Sequence, residues 1–285
     1  MSKTLLSLGH GYSARALAPR LLAKGWRVIG TTRSAEKAAE IAQTGAEPVI
    51  WPGTDLSPFF DEADALLISA GPGPDGDPVL AEARAAVIAA AGGLDWAGYL
   101  STTGVYGDHG GGWVDETAPL TPATRRGQAR VEAEAAWAAI PGLPLHIFRL
   151  AGIYGPGRGP FAKVLNGTAR RIIKKDQVFS RIHVEDIAQI LEASLKQPRP
   201  GAIYNVCDND PAPPQDVIGY AATLLEVPLP PAVAFEDADL TPMARSFYAE
   251  SKKVSNDLIR SELGIDLLYP DYRSGLEAML KDGGA

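Results

Sequence analysis

The stretch best equipped for chemistry is Gly9-His10-Gly11-Tyr12-Ser13-Ala14. Two glycines one residue apart allow a tight turn and close approach of the main chain to a ligand, and the small Ala14 lets a following helix pack closely. Where such a turn joins a strand to a helix, the unpaired N–H groups and positive dipole end of the helix attract a diphosphate. A second group is Ser101-Thr102-Thr103-Gly104-Val105-Tyr106, whose hydroxyls, at a strand's carboxyl end, would face the same crevice as a bound cofactor.

These groups need elements to hold them. Lys3 to Leu8 is a short, mostly apolar run, the segment after the turn to Lys24 is rich in alanine and leucine, and Trp26 to Thr31 reads as a second strand. Together they form the strand–turn–helix–strand of a dinucleotide-binding unit, with alanine in place of the third glycine. The plainer alternative is a tight turn that binds nothing. His10 either borders the phosphates or lies outside the site; Tyr12 and Ser13 open the helix.

Strand 2 ends at Thr31-Thr32-Arg33-Ser34, with no acidic residue before Glu36. A carboxylate here would bond a ribose hydroxyl, whereas an arginine suits a 2′-phosphate, so NADP is expected rather than NAD. Asp55-Leu56 follows a third strand (Glu47 to Trp51), where Pro48 argues for an edge or a strand start. Asp55 could meet an adenine amino group or cap a helix over Ser57 to Ala63. Ala65 to Ala70 reads as a strand buried on both faces, and Gly71-Pro72-Gly73-Pro74 lies at its carboxyl end. There Ala70 and Gly71 would floor a nicotinamide site or begin a flexible loop.

A helix from Pro78 to Ala91, a fifth strand (Gly98 to Ser101), a long loop (Gly110 to Pro122), a helix (Thr124 to Ala139) and a sixth strand (Leu145 to Leu150) follow. This alternation predicts an α/β fold: a doubly wound parallel sheet with helices on both faces. Beyond it come a turn-rich break, a basic helical stretch from Phe161 to Lys175, a strand near Val178 to Ile182, a helix, and a strand from Ile203 to Cys207. A mostly helical C-terminal segment ends in a frayed Asp282-Gly283-Gly284-Ala285. Residues 1–155 with 178–207 should form the nucleotide domain, and 156–177 with 208–285 a smaller substrate lobe.

The 285 residues are 46% apolar, enough for one sizeable core. Net charge is 27 − 34 = −7, which argues against bulk attraction to nucleic acid or to an anionic membrane. The one cysteine, Cys207, forms no internal disulfide and reads as a small core residue in a reducing compartment. No uncharged apolar stretch reaches ~18 residues and no cleavage-site pattern follows the first strand, so a cytoplasmic protein is expected, with no metal ligands.

Several of these stretches, with Arg149 to Arg158, Arg181 to Ala188 and Ile203 to Val206, together resemble the extended short-chain dehydrogenase/reductases, the NAD-dependent epimerase/dehydratase family. The resemblance spans residues 3 to about 210 and extends to Ser251-Lys252 near the C-terminus. It implies a Rossmann domain with a small substrate lobe, often dimeric, and a Ser/Thr–Tyr–Lys catalytic set acting on a small carbonyl, sugar or nucleotide-sugar substrate. Thr102 matches the Ser/Thr. At the tyrosine's and lysine's places stand Arg126 and Arg130, and arginine releases no proton at neutral pH. Two such cations a helical turn apart would instead clamp a phosphate or carboxylate, while Arg125 reads as solvent-facing. The proton would come from Tyr106 or water; His109, Asp108, His183 and Asp186 are weaker candidates. Two functions remain open: an oxidoreductase or epimerase with unusual acid–base residues, and an NADP(H)-binding sensor without turnover.

Overall fold

The computed structural model describes residues 2–283; of the expected frayed end, Gly284 and Ala285 lie outside them. Seven parallel strands form the central sheet: β1 (Thr4–Leu8), β2 (Arg27–Thr32), β3 (Glu47–Ile50), β4 (Ala65–Ile68), β5 (Trp96–Thr102), β6 (Leu145–Leu150) and β7 (Ile203–Val206). Their order is β7-β6-β5-β4-β1-β2-β3, and every neighbouring pair is parallel. The order reverses between β1 and β4, the switch point beside which open α/β sheets bind ligands. This is a Rossmann-type fold. Pro48 is accommodated because β3 is an edge strand.

The apolar runs of β1 and β4 are buried along their whole length because helices cover both faces. One face packs on α1 (Tyr12–Leu22) and a later helix, Val184–Lys196, through Leu17, Leu21, Ile187 and Leu191. The other packs on α2 (Pro78–Ala90) and α3 (Arg125–Ala138) through Val79, Val87, Ala133 and Trp137. Asp77 fixes α2 to α3: one carboxylate oxygen caps the amides of Val79 and Leu80, and the other accepts from the Trp137 indole at 2.9 Å.

A separate small core gathers Tyr154, Phe161, Val217, Tyr272, Leu276 and Met279. The expected basic helix from Phe161 to Lys175 is not one element. It is helical only over Phe161–Leu165, turns at Gly167 with φ +71°, and continues as a strand, Arg171–Ile173, paired with Ala232–Ala234. The long loop after Gly110 is pinned in the same way, by a two-residue strand Trp113–Val114 beside Lys253–Val254. No helix among the described residues is long and apolar enough to cross a membrane.

Candidate functional site: a cleft at the switch point

A cleft of about 1680 Å³ runs along the carboxyl ends of the strands, between the sheet and the small core. Gly9, Gly11, Tyr12 and Ser13 line one end. Gly9 sits at φ +82°, and a Cβ there would fall 2.7 Å from the Ala70 nitrogen, so only glycine fits between β1 and β4. Its N–H donates to Thr31 Oγ1 at 2.7 Å, tying the turn to β2. Gly11 is the N-cap of α1 and contributes no side chain, so the helix start has no side-chain cap among the described residues. Gly11 is exposed, and a Cβ built on it would meet nothing nearer than Gly9 O at 3.7 Å among the described residues. An exposed helix start with no side-chain cap is the kind of place where an anion binds.

The other expected nucleotide residues divide. Arg33 is exposed at the end of β2 and makes no ion pair among the described residues. Ser34 caps the next helix, Ala35–Gln43, and Thr32 closes β2. Asp55 takes the capping alternative: Oδ1 accepts from the Ser57 amide at 3.0 Å and the Ser57 hydroxyl at 2.8 Å. Leu56 is buried, its carbonyl accepting from the Phe59 and Phe60 amides, and it does not line the cleft. His10 turns inward against Gly30 rather than outward. It is 5% exposed, neither ring nitrogen has a partner, and burial aided by Arg15 pushes its pKa down to about 4. Ala70 is half-buried, and Gly71 is exposed beside the Arg130 guanidinium.

Thr102, Arg126 and Arg130 line the same cleft. Thr102 ends β5, with Oγ1 accepting from the Gly104 amide at 3.2 Å. Arg126 stands exposed on the first turn of α3 without a partner among the described residues, as does Arg125. Arg130 is held back against the sheet: Nη1 donates to Leu100 O at 2.7 Å and to the Tyr99 hydroxyl at 3.1 Å. The start of α3 lies tight on the strand end because Gly127 has no side chain; a Cβ there would come within 2.8 Å of Gly104 O.

Tyr106 does not supply a proton from where it lies. Its side chain is fully buried, its hydroxyl donates to Asn205 Oδ1 at 2.7 Å and accepts from Arg149 Nη1 at 3.0 Å, and burial raises its pKa against the pull of Arg149. Asp108 and His109 are also structural. Asp108 accepts from the Ser251 amide at 2.8 Å, and His109 Nε2 lies 3.1 Å from Tyr106 O. His183 caps the helix Val184–Lys196 and packs on Tyr154 and Tyr269. Asp186 is wholly buried and accepts from Leu268 N, Tyr269 N and Gln189. Cys207 is a core residue whose thiol burial pushes well up.

Sequence reasoning missed the wall opposite Thr102. Arg181, Tyr248 and Lys252 line it, with Lys252 Nζ bonded to Gly107 O and Glu250 Oε2, both at 2.7 Å. Arg181 and Lys252 stand inside stretches matched to the family, yet no spacing rule marks them as cleft-facing. Tyr12 bridges the two sides, its hydroxyl donating to Pro156 O at 2.9 Å.

An open parallel sheet with a glycine-turn cradle at its switch point defines a Rossmann α/β protein with a ligand cleft at its strand ends. The profile of the NAD dependent epimerase/dehydratase family matches residues 8–207, and the chain belongs to that family. It is 31% identical over 282 residues to protein YeeZ of Escherichia coli K12, across 94% of this chain and 97% of that protein. A structure from Silicibacter pomeroyi, described as a functionally unknown conserved protein, is 61% identical, covers 99% of both chains and superposes with a TM-score of 0.96. The UDP-glucuronic acid 4-epimerase of Bacillus cereus in complex with NAD shares the fold at a TM-score of 0.77 and 17% identity, with 99% of this chain and 100% of that one covered.

Proposed function

We propose that this protein is a nicotinamide-dinucleotide-dependent oxidoreductase or epimerase acting on a small polar substrate, with acid–base residues unlike those the family resemblance implies. The observation that carries this reading is that the uncapped turn of Gly9, Gly11 and Ser13 opens into the same cleft as Thr102. The amides of the first turn of α1 would hold the diphosphate, and Gly71 would border the nicotinamide end. When bound, the nicotinamide supplies or takes up a hydride. Thr102 donates a hydrogen bond to the substrate oxygen. Arg126 holds a fixed positive charge where negative charge develops on that oxygen. Arg130, restrained by Leu100 O, fixes the floor between them. With Tyr106 committed to Asn205 and Arg149, the proton comes from water in the open cleft.

NADP is the preferred cofactor, because Arg33 is exposed at the end of β2 and no carboxylate occupies residues 31–34. The smaller lobe, residues 156–177 with 208–285, is the substrate side. A second reading, a dinucleotide sensor without turnover, draws on the absence of a phenol at residue 126. The deciding experiment is an NADPH oxidation assay over a panel of aldehydes, 2-oxoacids and nucleotide sugars. Turnover abolished by Thr102→Val supports the enzyme. Tight NADPH binding with no turnover supports the sensor, and absence of NADPH and NADH binding at millimolar concentration removes both.

A further inference from the structure

Among the cations of the cleft, Arg181 stands apart. It begins the short strand Arg181–His183, and its Nη1 donates to two main-chain carbonyls, Phe179 O at 2.8 Å and Ala212 O at 2.9 Å. These bonds fix the guanidinium plane. No carboxylate among the described residues pairs with it, whereas most other arginines of this acidic chain that stand away from the cleft do pair. Among the described residues its Nε and Nη2 make no hydrogen bond, neither is a fully buried atom, and Arg181 lines the cleft. They therefore open into the cleft. A cation held this way, largely out of water, is costly unless an anion meets it.

The nearest candidate counter-charge is compromised. Asp208 is 1% exposed, its Oδ1 accepts from the Asp210 amide, and its Oδ2 has no partner. Burial pushes its carboxyl well above the usual range in spite of Arg181. Glu250, also on the cleft wall, is already paired with Lys252 at 2.7 Å. Near Arg181 on the same cleft wall stands Tyr248, whose hydroxyl makes no hydrogen bond among the described residues. The Tyr248 ring packs edge-on to Phe179 at 5.6 Å and against Phe235 at 5.2 Å. Lys174, bonded to Tyr248 O, and Arg245 both lie over the Phe235 ring. The surround is thus an aromatic wall backed by further positive charge.

We infer that this wall is an oxyanion subsite, in which the free edge of Arg181 and the Tyr248 hydroxyl take a carboxylate or phosphate carried by the substrate. The inference rests on reading the cleft as a substrate site and narrows that substrate to an anion. The fork of Nε and Nη2 matches two oxygens of one carboxylate or phosphate group. The net charge of −7 makes such an uncompensated cation all the less a matter of general composition.

The test is arginine Nε–Hε NMR on the full chain, with inorganic phosphate and acetate as separate probes and sodium chloride at matched ionic strength as control. The Arg181 signal is assigned by its loss in Arg181→Met. A saturable shift of that signal with either probe, weakened roughly ten-fold in an otherwise folded chain by Tyr248→Phe, supports the subsite. Response to phosphate alone, acetate alone, or both names the group it takes. An Arg181 signal that moves no more with the probes than with sodium chloride overturns the proposal. NADPH titration of the same samples is read separately from the amides of Tyr12 and Ser13, so failure of the cofactor reading leaves the anion result standing.

Discussion

Glu134 on α3 and Arg149 on β6 form an ion pair at 2.8 Å whose side chains are 5% and 4% exposed. Glu134 also accepts from the Ser101 hydroxyl, and Arg149 donates to Tyr106. The pair therefore bolts the helix that carries Arg126 and Arg130 to the strand ends that carry Thr102. Removing one partner strands the other charge. Glu134→Gln should lower unfolding free energy by about 3 kcal/mol, measured by urea denaturation, while the exposed Glu132→Gln should stay within about 0.5 kcal/mol of wild type.

The turn at Gly9 gives a sharper result. Alanine there meets the Ala70 main chain and must adopt φ +82°, a cost of about 1–2 kcal/mol before any clash is counted. Gly9→Ala should retain the helix content seen by circular dichroism but lose measurable NADPH binding by calorimetry. Unchanged affinity would separate the turn from the ligand.

Cofactor choice hangs on Arg33. Arg33→Ala should weaken NADPH by about ten-fold, the value of one charge-assisted contact, and leave NADH within about two-fold. Equal losses for both dinucleotides would take Arg33 out of the site.

Acid should weaken the fold through buried imidazoles. His10 and His183 are each pushed down to about 4 by burial, against a usual value near 6.5. Both are neutral in the fold, so between these values the unfolded chain binds more protons. Stability therefore falls as pH drops from 6.5 to 4, by about 3 kcal/mol per histidine. Asp186 acts in the opposite sense. Burial pushes it up to about 6, so its contribution is present below 3.8 and is lost as pH rises through 6. His183→Asn keeps an acceptor for the Glu185 amide, and its urea midpoint should fall less than that of wild type between pH 7 and 4.

The sheet was legible because its signals are local. Buried strands such as Ala65–Ile68 are continuous apolar runs, and the glycine turn has a steric reason that sequence spacing carries. Tyr106 misled because its sequence distance from Thr102 says nothing about direction; the intervening 3₁₀ turn, Thr103–Tyr106, swings its ring under the sheet to Arg149. The segment Phe161 to Lys175 misled because composition suited a helix, while Gly167 and pairing with Ala232–Ala234 imposed a strand. Arg181 and Tyr248 were invisible because they meet across some 67 positions of chain (248 − 181), a juxtaposition only tertiary packing creates.

The bond from the Tyr12 hydroxyl to Pro156 O joins the first turn of α1 to the chain leaving the sheet for the smaller core. The cleft's two sides are consequently stitched at the end lined by Gly9 and Gly11. Any gape must break that stitch or swivel about it, so a cleft that opens does so on the terms of one phenol.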